Sequence, residues 1–251
     1  MSIKPILFNT EMVKAILDGR KTCTRRKIPI DIVNFCDIDH DGELLSYENS
    51  YGDFINPKRL CRYQPGDILY VRETWHKYTK RVGNGESCHL AEFYGYKASI
   101  ANSEDANEPW KPSIHMPKEA ARIWLKVTDV RVERLQDITD KDAEREGAQP
   151  DDPFDYDVDK WPNLEYFKEI WNSTIKKSDL DTYGWEANPY VWVIEFERCE
   201  KPLECELYGN DKAPDDGTGK CLGYMYETRD ELIPICEKCR YQASYESEEE
   251  K

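Results

Sequence analysis

Apolar positions in this chain come in short runs of two periodicities. Residues 3–8, Ile-Lys-Pro-Ile-Leu-Phe, form a brief run of strand length. Met12, Val13, Ile16 and Leu17 then repeat at helical spacing, with Asn9 or Thr10 placed to cap and Gly19 placed to stop. Residues 31–65 are irregular, carrying Asp-His-Asp-Gly and Asn-Pro turn signals. Pro65-Gly66-Asp67 is a sharp turn into the apolar strand Ile68–Val71. Residues 80–89 and 99–112 read as loops, with a strand at 91–97 between them. Alternation at Ile123, Leu125, Val127 and Val130 makes 121–135 the longest expected strand. Thr139 is a plausible N-cap and Asp140 suits the first turn of a helix that Gly147 ends. An acidic loop follows at 151–160, then an amphipathic helix at 164–175 and a closing strand at 191–196. This order predicts an α+β fold, a curved sheet or small barrel with helices outside.

Composition sets the outer limits. The 251 residues carry 39% hydrophobic and 34% charged residues, with 7 Trp and 16 Tyr, enough to build a core. No run reaches the length of a membrane span, and the start, Met-Ser-Ile-Lys-Pro, lacks the apolar stretch of a signal peptide. A cytoplasmic protein with no membrane partner is expected. After about residue 199 aliphatic residues thin out and Cys, Gly, Asp and Glu accumulate, which places a boundary there.

The net charge of −15 excludes a non-specific binder of long duplex nucleic acid. The charge is uneven, however. Residues 1–30 hold seven Lys/Arg against Glu11 and Asp18, while 200–251 hold seven basic and fourteen acidic residues. A basic patch on an acidic body suits a small or single-stranded anionic ligand held at one place.

That patch peaks in Gly19-Arg20-Lys21-Thr22-Cys23-Thr24-Arg25-Arg26, which is either a solvated basic loop or a site. Downstream, Arg72, Glu73 and Trp75 would stand at the mouth of the strand 68–71. Trp75 could stack on a base there; the plainer alternative is a core Trp75 and an Arg72–Glu73 ion pair. His115, between two prolines, reads as structural first and catalytic second.

The pattern Gly19-x-Lys21-x-x-x-x-Arg26 resembles the signature of the ASCH family. So do Pro65-Gly66-Asp67 entering a strand, the segment Thr139-Asp140-x-Asp142-Ala143-x-x-Glu146-Gly147, and the strand 191–196 preceded by Trp185, Asn188 and Pro189. The match spans roughly 3–198 in the family order. It is most similar to larger, prophage-type members, which add Val71-Arg72-Glu73-Thr74-Trp75 and Pro112-Ser113-Ile114-His115-Met116-Pro117.

The resemblance implies a PUA-like small β-barrel over residues 1–198, with flanking helices and insertions at about 28–63 and 76–115. It implies a cleft lined by the Gly-x-Lys segment, with Gly19, Arg26, Arg72, Glu73 and Trp75 as substrate-binding candidates. Some small bacterial members are amidohydrolases that remove the acetyl group from N4-acetylcytidine. Their working Lys, Thr and Glu fall on Lys21, Thr24 and Glu146 here. The insertions and the Cys-rich tail are departures from those small enzymes.

The residue types support such chemistry independently. Amide hydrolysis needs a nucleophile, a proton acceptor and oxyanion stabilisation. A threonine hydroxyl can attack once a base takes its proton, or it can position a water. A lysine serves as base when burial or neighbouring cations make it easier to deprotonate. Direct pairing with Glu146 would work the other way, and the sequence leaves both open. Arg26 is a candidate for a ring carbonyl or the oxyanion. The expected function is therefore an amidohydrolase acting on N4-acetylcytidine or a similar modified nucleoside. The alternative is a non-catalytic module binding single-stranded RNA or a modified nucleotide, and a third reading makes the tail a recruiter of partners.

The chain has 9 cysteines, an odd number that argues against complete disulfide pairing. Cys236-x-x-Cys239 has a knuckle spacing suited to zinc, with Cys205 and Cys221 the natural partners. A structural zinc could supply folding energy that the tail 199–251 lacks in aliphatic core; free thiols are the alternative. No cofactor is expected for catalysis. The end, 246–251, reads as a disordered acidic segment.

Overall fold

The computed structural model describes residues 2–34, 36, 47–48, 54–84, 88–99, 109–149 and 162–202. The chain divides into two units, 1–199 and 200–251. The loop at 151–160, the four tail cysteines Cys205, Cys221, Cys236 and Cys239, and the acidic end lie outside the described residues.

The first unit runs β1 (Ile3–Leu7), α1 (Thr10–Leu17), β2 (Cys23–Lys27), α2 (Ile30–Asn34), β3 (Tyr47–Glu48), β4 (Phe54–Ile55), α3 (Pro57–Leu60), β5 (Ile68–Arg72), β6 (Trp75–Val82), β7 (His89–Tyr96), β8 (Trp124–Arg134), α4 (Asp140–Arg145), α5 (Pro162–Thr174), α6 (Leu180–Tyr183) and β9 (Tyr190–Cys199). It is a mixed α+β unit. Among the described residues no helix is long and apolar enough to cross a membrane.

The main sheet has five strands in the order β1-β5-β8-β9-β2. Only the β1–β5 pair is parallel; the others are antiparallel. β8 and β9, long and apolar, hold the centre, with a register shift between Val127 and Asp129. One core cluster gathers Ile6, Val13, Ile16, Leu69, Leu125 and Ile194, so α1 packs its predicted stripe on the sheet. A second joins Leu135, Phe167, Trp171, Val191 and Val193, where α5 packs.

The expected barrel is not closed. Among the described residues β1 and β2 are the two edges of the sheet and exchange no backbone ladder. Their composition explains why. Pro5 has no N–H to offer an outer neighbour, and β2 is a row of cations, Arg25-Arg26-Lys27, of the kind that blunts a strand edge. The edges nevertheless come within side-chain reach: Arg26 Nη2 donates to Leu7 O at 3.0 Å. This leaves a seam in the sheet, crossed by side chains.

Residues 80–89 are not all loop. β6 continues through Val82 and pairs with β7 in a two-stranded ribbon. Lys77, Thr79, Lys80 and Arg81 mask the strand in sequence, because a ribbon away from the main sheet needs little apolar alternation.

The turn at Asp67 anchors the N-terminus. Its carboxylate accepts from Ser2 N at 3.0 Å, Ser2 Oγ at 2.7 Å, Lys4 Nζ at 2.6 Å and Gln64 N at 2.9 Å. Burial alone would raise its pKa; the hydrogen bonds from Lys4, Ser2 and Gln64 outweigh it and hold the group at about 2. A carboxylate depressed in the folded state stabilises above its unfolded pKa, and that stabilisation disappears as pH falls through the folded value. Wild type should therefore lose about 2 kcal/mol relative to Asp67→Asn between about pH 4 and pH 2. Urea unfolding of both proteins across that range checks this; parallel pH curves would contradict it.

Candidate functional site

Two turns with positive φ deliver the central residues. Asn9 Oδ1 accepts from Met12 N at 2.8 Å and starts α1. Gly19, at φ +77°, ends it, and the amides of Arg20 and Lys21 turn back to Ala15 O at 2.9 and 3.0 Å. Lys21 is thereby swung beneath the helix and is only 4% exposed. The second turn closes α4. Thr139 and Asp142 form the capping box at its start. Glu146 is its C-cap, and Gly147 follows at φ +82°.

At Gly147 any side chain is excluded twice. A Cβ would lie 2.7 Å from Ala15 Cβ and 3.3 Å from Lys21 Cβ. At Gly66, φ +86°, a Cβ would meet nothing within 4 Å. Gly147→Ala should cost about 1 kcal/mol more than Gly66→Ala, which carries only the left-handed backbone penalty of about 1–2 kcal/mol. Chemical unfolding of the two variants measures the difference; equal losses would show that the α1–α4 contact yields freely.

The two turns place Lys21 against Glu146. Lys21 Nζ donates to Glu146 O at 2.6 Å, Cys23 O at 2.8 Å and Glu146 Oε2 at 2.9 Å. All three ammonium protons therefore have an acceptor. Arg25 Nη1 donates to Glu146 Oε1 at 3.2 Å, and its Nη2 to Glu133 Oε2 at 3.1 Å. The side chains of Lys21 and Arg25 are 1% exposed and that of Glu146 is 5%. Glu133 is also held by Arg131 Nε. Arg131 Nη1 and Arg145 Nη2 both reach Glu195 Oε1, at 2.6 and 3.1 Å. Burial would raise the pKa of Glu195, but those arginines lower it. An alternating chain of charges thus ties β2, β8, β9 and α4 beneath the site, each cation facing a carboxylate.

Beside this network lies a cavity of about 440 Å³, with Leu7 of β1 and Thr24, Arg25 and Arg26 of β2 in its lining. Lys21, Thr24, Arg25, Arg26 and Glu146 line its polar side. Phe8, Phe167 and Trp171 supply aromatic surface, and Thr74, Pro112 and Ser113 form part of the wall. Thr24 is 4% exposed, and among the described residues nothing hydrogen-bonds its hydroxyl. Arg26 is half-buried, 5.5 Å from the Phe8 ring centroid. Desolvation lowers its pKa. Among the described residues it has no carboxylate within ion-pair distance, so it is the cation of the cavity left for a ligand. Cys23 is fully buried, and desolvation followed by the charge of Glu146 pushes its thiol up to about 12, which makes it inert.

The structure brings Lys21, Thr24, Glu146 and Arg26 together; it does not bring Gly19, Arg72, Glu73 or Trp75 to the cavity. Gly19 acts through its turn. Arg72 Nη1 donates to Ile114 O at 3.2 Å. Glu73 pairs with Arg122 through two bonds of 2.8 and 2.9 Å instead of with Arg72. Trp75, 7% exposed, packs in a core with Met116 and Trp124. His115 sits in a 3-10 turn whose Ser113, and not His115, meets the cavity.

Arg25 was visible in sequence only as another cation; its role as second partner of Glu146 has no local signal, because Glu133 and Glu146 arrive from β8 and the end of α4. Phe8 and Trp171 were visible as apolar residues of unassigned purpose. Among the described residues no group of His, Cys, Asp and Glu has the arrangement of a metal site.

No family model and no curated protein matches the chain. A crystal structure of an ASCH domain from Lactobacillus crispatus JV V101 is similar at 12% identity, over 78% of this chain and 79% of that one, with a TM-score of 0.37. That degree of overlap carries no argument about fold or function.

Proposed function

We propose that the cavity takes an acylated nucleobase and hydrolyses its exocyclic amide, with N4-acetylcytidine as the type substrate. The observation that carries this is the convergence of Lys21, Thr24 and Glu146, drawn from segments more than a hundred residues apart, on one pocket of about 440 Å³. That volume suits a nucleoside. The ASCH-like order of motifs in the sequence supports the same reading.

In this scheme Phe8 and Trp171 flank the base and Arg26 stabilises the oxygen that becomes negative. The Thr24 hydroxyl attacks the acyl carbon. Lys21 first passes a proton across its 2.9 Å bond to Glu146 Oε2, and its freed amine then takes the proton of Thr24. Collapse breaks the C–N bond, with a proton returned to the departing amine, and water hydrolyses the acyl ester on Thr24.

A second reading rests on one specific observation. With all its protons engaged, Lys21 has the geometry of a fixed cationic strut, as in a module that binds a modified nucleotide without turnover. Incubation with N4-acetylcytidine, followed by chromatography for cytidine, separates the two. Release by wild type and none by Thr24→Val supports hydrolysis; binding without release supports the module. Structural zinc on Cys205, Cys221, Cys236 and Cys239 remains a proposal from their spacing, tested by native mass measurement of the full chain. A mass increment of one zinc is expected, and a metal-free mass rejects it.

A further inference from the structure

We infer that the β6–β7 ribbon is a docking arm for single-stranded nucleic acid. Its register fixes which residues share a face. Tyr78 stands opposite Phe93, Lys80 opposite Ala91, and His76 opposite Gly95. Tyr78 and Phe93 stack at 5.7 Å with 27° between their planes, and Phe93 keeps 37% of its surface exposed. Lys80 stands two residues beyond Tyr78, with only the small Ala91 across from it. Arg81 and Leu90, the latter 67% exposed, lie on the opposite face.

An aromatic pair open to solvent beside a cation is the equipment for stacking a base and holding its phosphate. Lys77 is occupied by Glu92 at 2.7 Å. Among the described residues Lys80 and Arg81 have no ion-pair partner, so their charge is available. Residues 75–99 carry four Lys/Arg against two Glu, inside a chain of net charge −15. That local reversal of sign selects an anionic partner. A duplex would hide its base faces from Phe93, whereas a single strand offers them.

The root of the ribbon is closely packed. His76, 2% exposed, packs on Trp110 with ring centroids 4.5 Å apart, and a Cβ on Gly95 would lie 2.0 Å from His76 Nε2, so only glycine admits the ring. Trp75 and Lys111 exchange backbone hydrogen bonds of 3.2 and 2.8 Å that clamp the two ends of the insertion. The residues just outside this clamp, Thr74 on one side and Pro112 and Ser113 on the other, line the cavity. The arm therefore springs from the cavity rim. The arm's use in presenting a nucleotide to the pocket rests on the nucleobase reading of the cavity; its capacity to bind does not.

The test is fluorescence anisotropy of the full chain with a labelled single-stranded RNA of about twelve nucleotides at low salt, a length within the usual single-strand site size. The same sequence as a duplex is the comparison. Wild type should prefer the single strand. Phe93→Ala should weaken it about tenfold, as loss of one stacked base does. Lys80→Gln should weaken it as well and reduce the salt slope by about 0.7, the share of one phosphate contact on a single strand, while Arg81→Gln on the opposite face should change it less. Phe93→Leu keeps apolar bulk without the aromatic face and should resemble Phe93→Ala, which separates stacking from folding. No binding by wild type, equal affinity for the duplex, or variants indistinguishable from wild type would each overturn the arm. Turnover of free N4-acetylcytidine, measured separately, reports on the cavity alone.

Discussion

Glu146→Gln should lower the unfolding free energy by about 3–5 kcal/mol, the usual cost of removing one member of a buried ion pair. Lys21 and Arg25 are each 1% exposed in their side chains, and both lean on this one carboxylate. A neutral amide keeps the shape and one oxygen, but its NH2 must face one of two cations that are already donors. Arg25 retains Glu133 at 3.1 Å; Lys21 retains only two backbone carbonyls. Most of the loss should therefore come from Lys21. A double-mutant cycle tests that assignment. Lys21→Met combined with Glu146→Gln should cost at least about 1 kcal/mol less than the two single changes together, because the stranded charge is gone. Urea unfolding followed by tryptophan fluorescence supplies all four free energies. A loss below 1 kcal/mol in Glu146→Gln, or strict additivity, would mean that the pair is solvated in the working protein.

Lys21→Ala should cut turnover of N4-acetylcytidine by about a hundredfold or more, the scale of a lost acid–base group. The proposed proton path runs from Thr24 through Lys21 to Glu146, and alanine removes its middle. Affinity for the product cytidine should change less, since Phe8, Trp171 and Arg26 remain. That pattern, kcat reduced more than KM is raised, distinguishes a chemical role from a binding role. Near-normal kcat would leave Lys21 as a strut and shift the nucleophile's proton to some other acceptor. Because removing Lys21 leaves Glu146 facing Arg25 alone, Lys21→Met is the companion variant. It restores packing volume, and an equal loss of kcat there would exclude a simple cavity effect.

The elements that sequence revealed are those whose signals are local. Asn9, Gly19, Thr139 and Gly147 mark helix ends through their own backbone and side-chain chemistry, and each does so in the structure. Alternation exposed β8 because one strand face is buried along much of its length. Barrel closure was not legible, since it depends on whether two strands distant in the sheet find hydrogen-bonding partners, and Pro5 and the cations of β2 oppose that. Of the ribbon, the expected strand at 91–97 is observed as β7, while β6 was hidden because a strand outside the main core lacks the apolar period that reveals one. In the site, Lys21, Thr24 and Glu146 were identified by resemblance, and their side-by-side placement comes from the fold. Arg25 was legible only as one more cation because its role lies in partners 108 and 121 residues away. Trp75 was left open between a stacking platform and a core residue, because a tryptophan after a strand suits both; here it fills a core.

The seam between β1 and β2 sets what kind of selectivity such a pocket can have. Where backbone ladders close a sheet, neighbouring strands are held about 4.8 Å apart and the enclosed space is of one size. Across this gap the link from Arg26 to Leu7 O is made by a side chain with several rotamers. That stretch of the wall is thus adjustable, and the size of ligand the cavity admits is governed in part by the two edge strands. Exchanging Leu7 or Arg26 can retune that tolerance while the packed interior and the buried charge chain stay as they are.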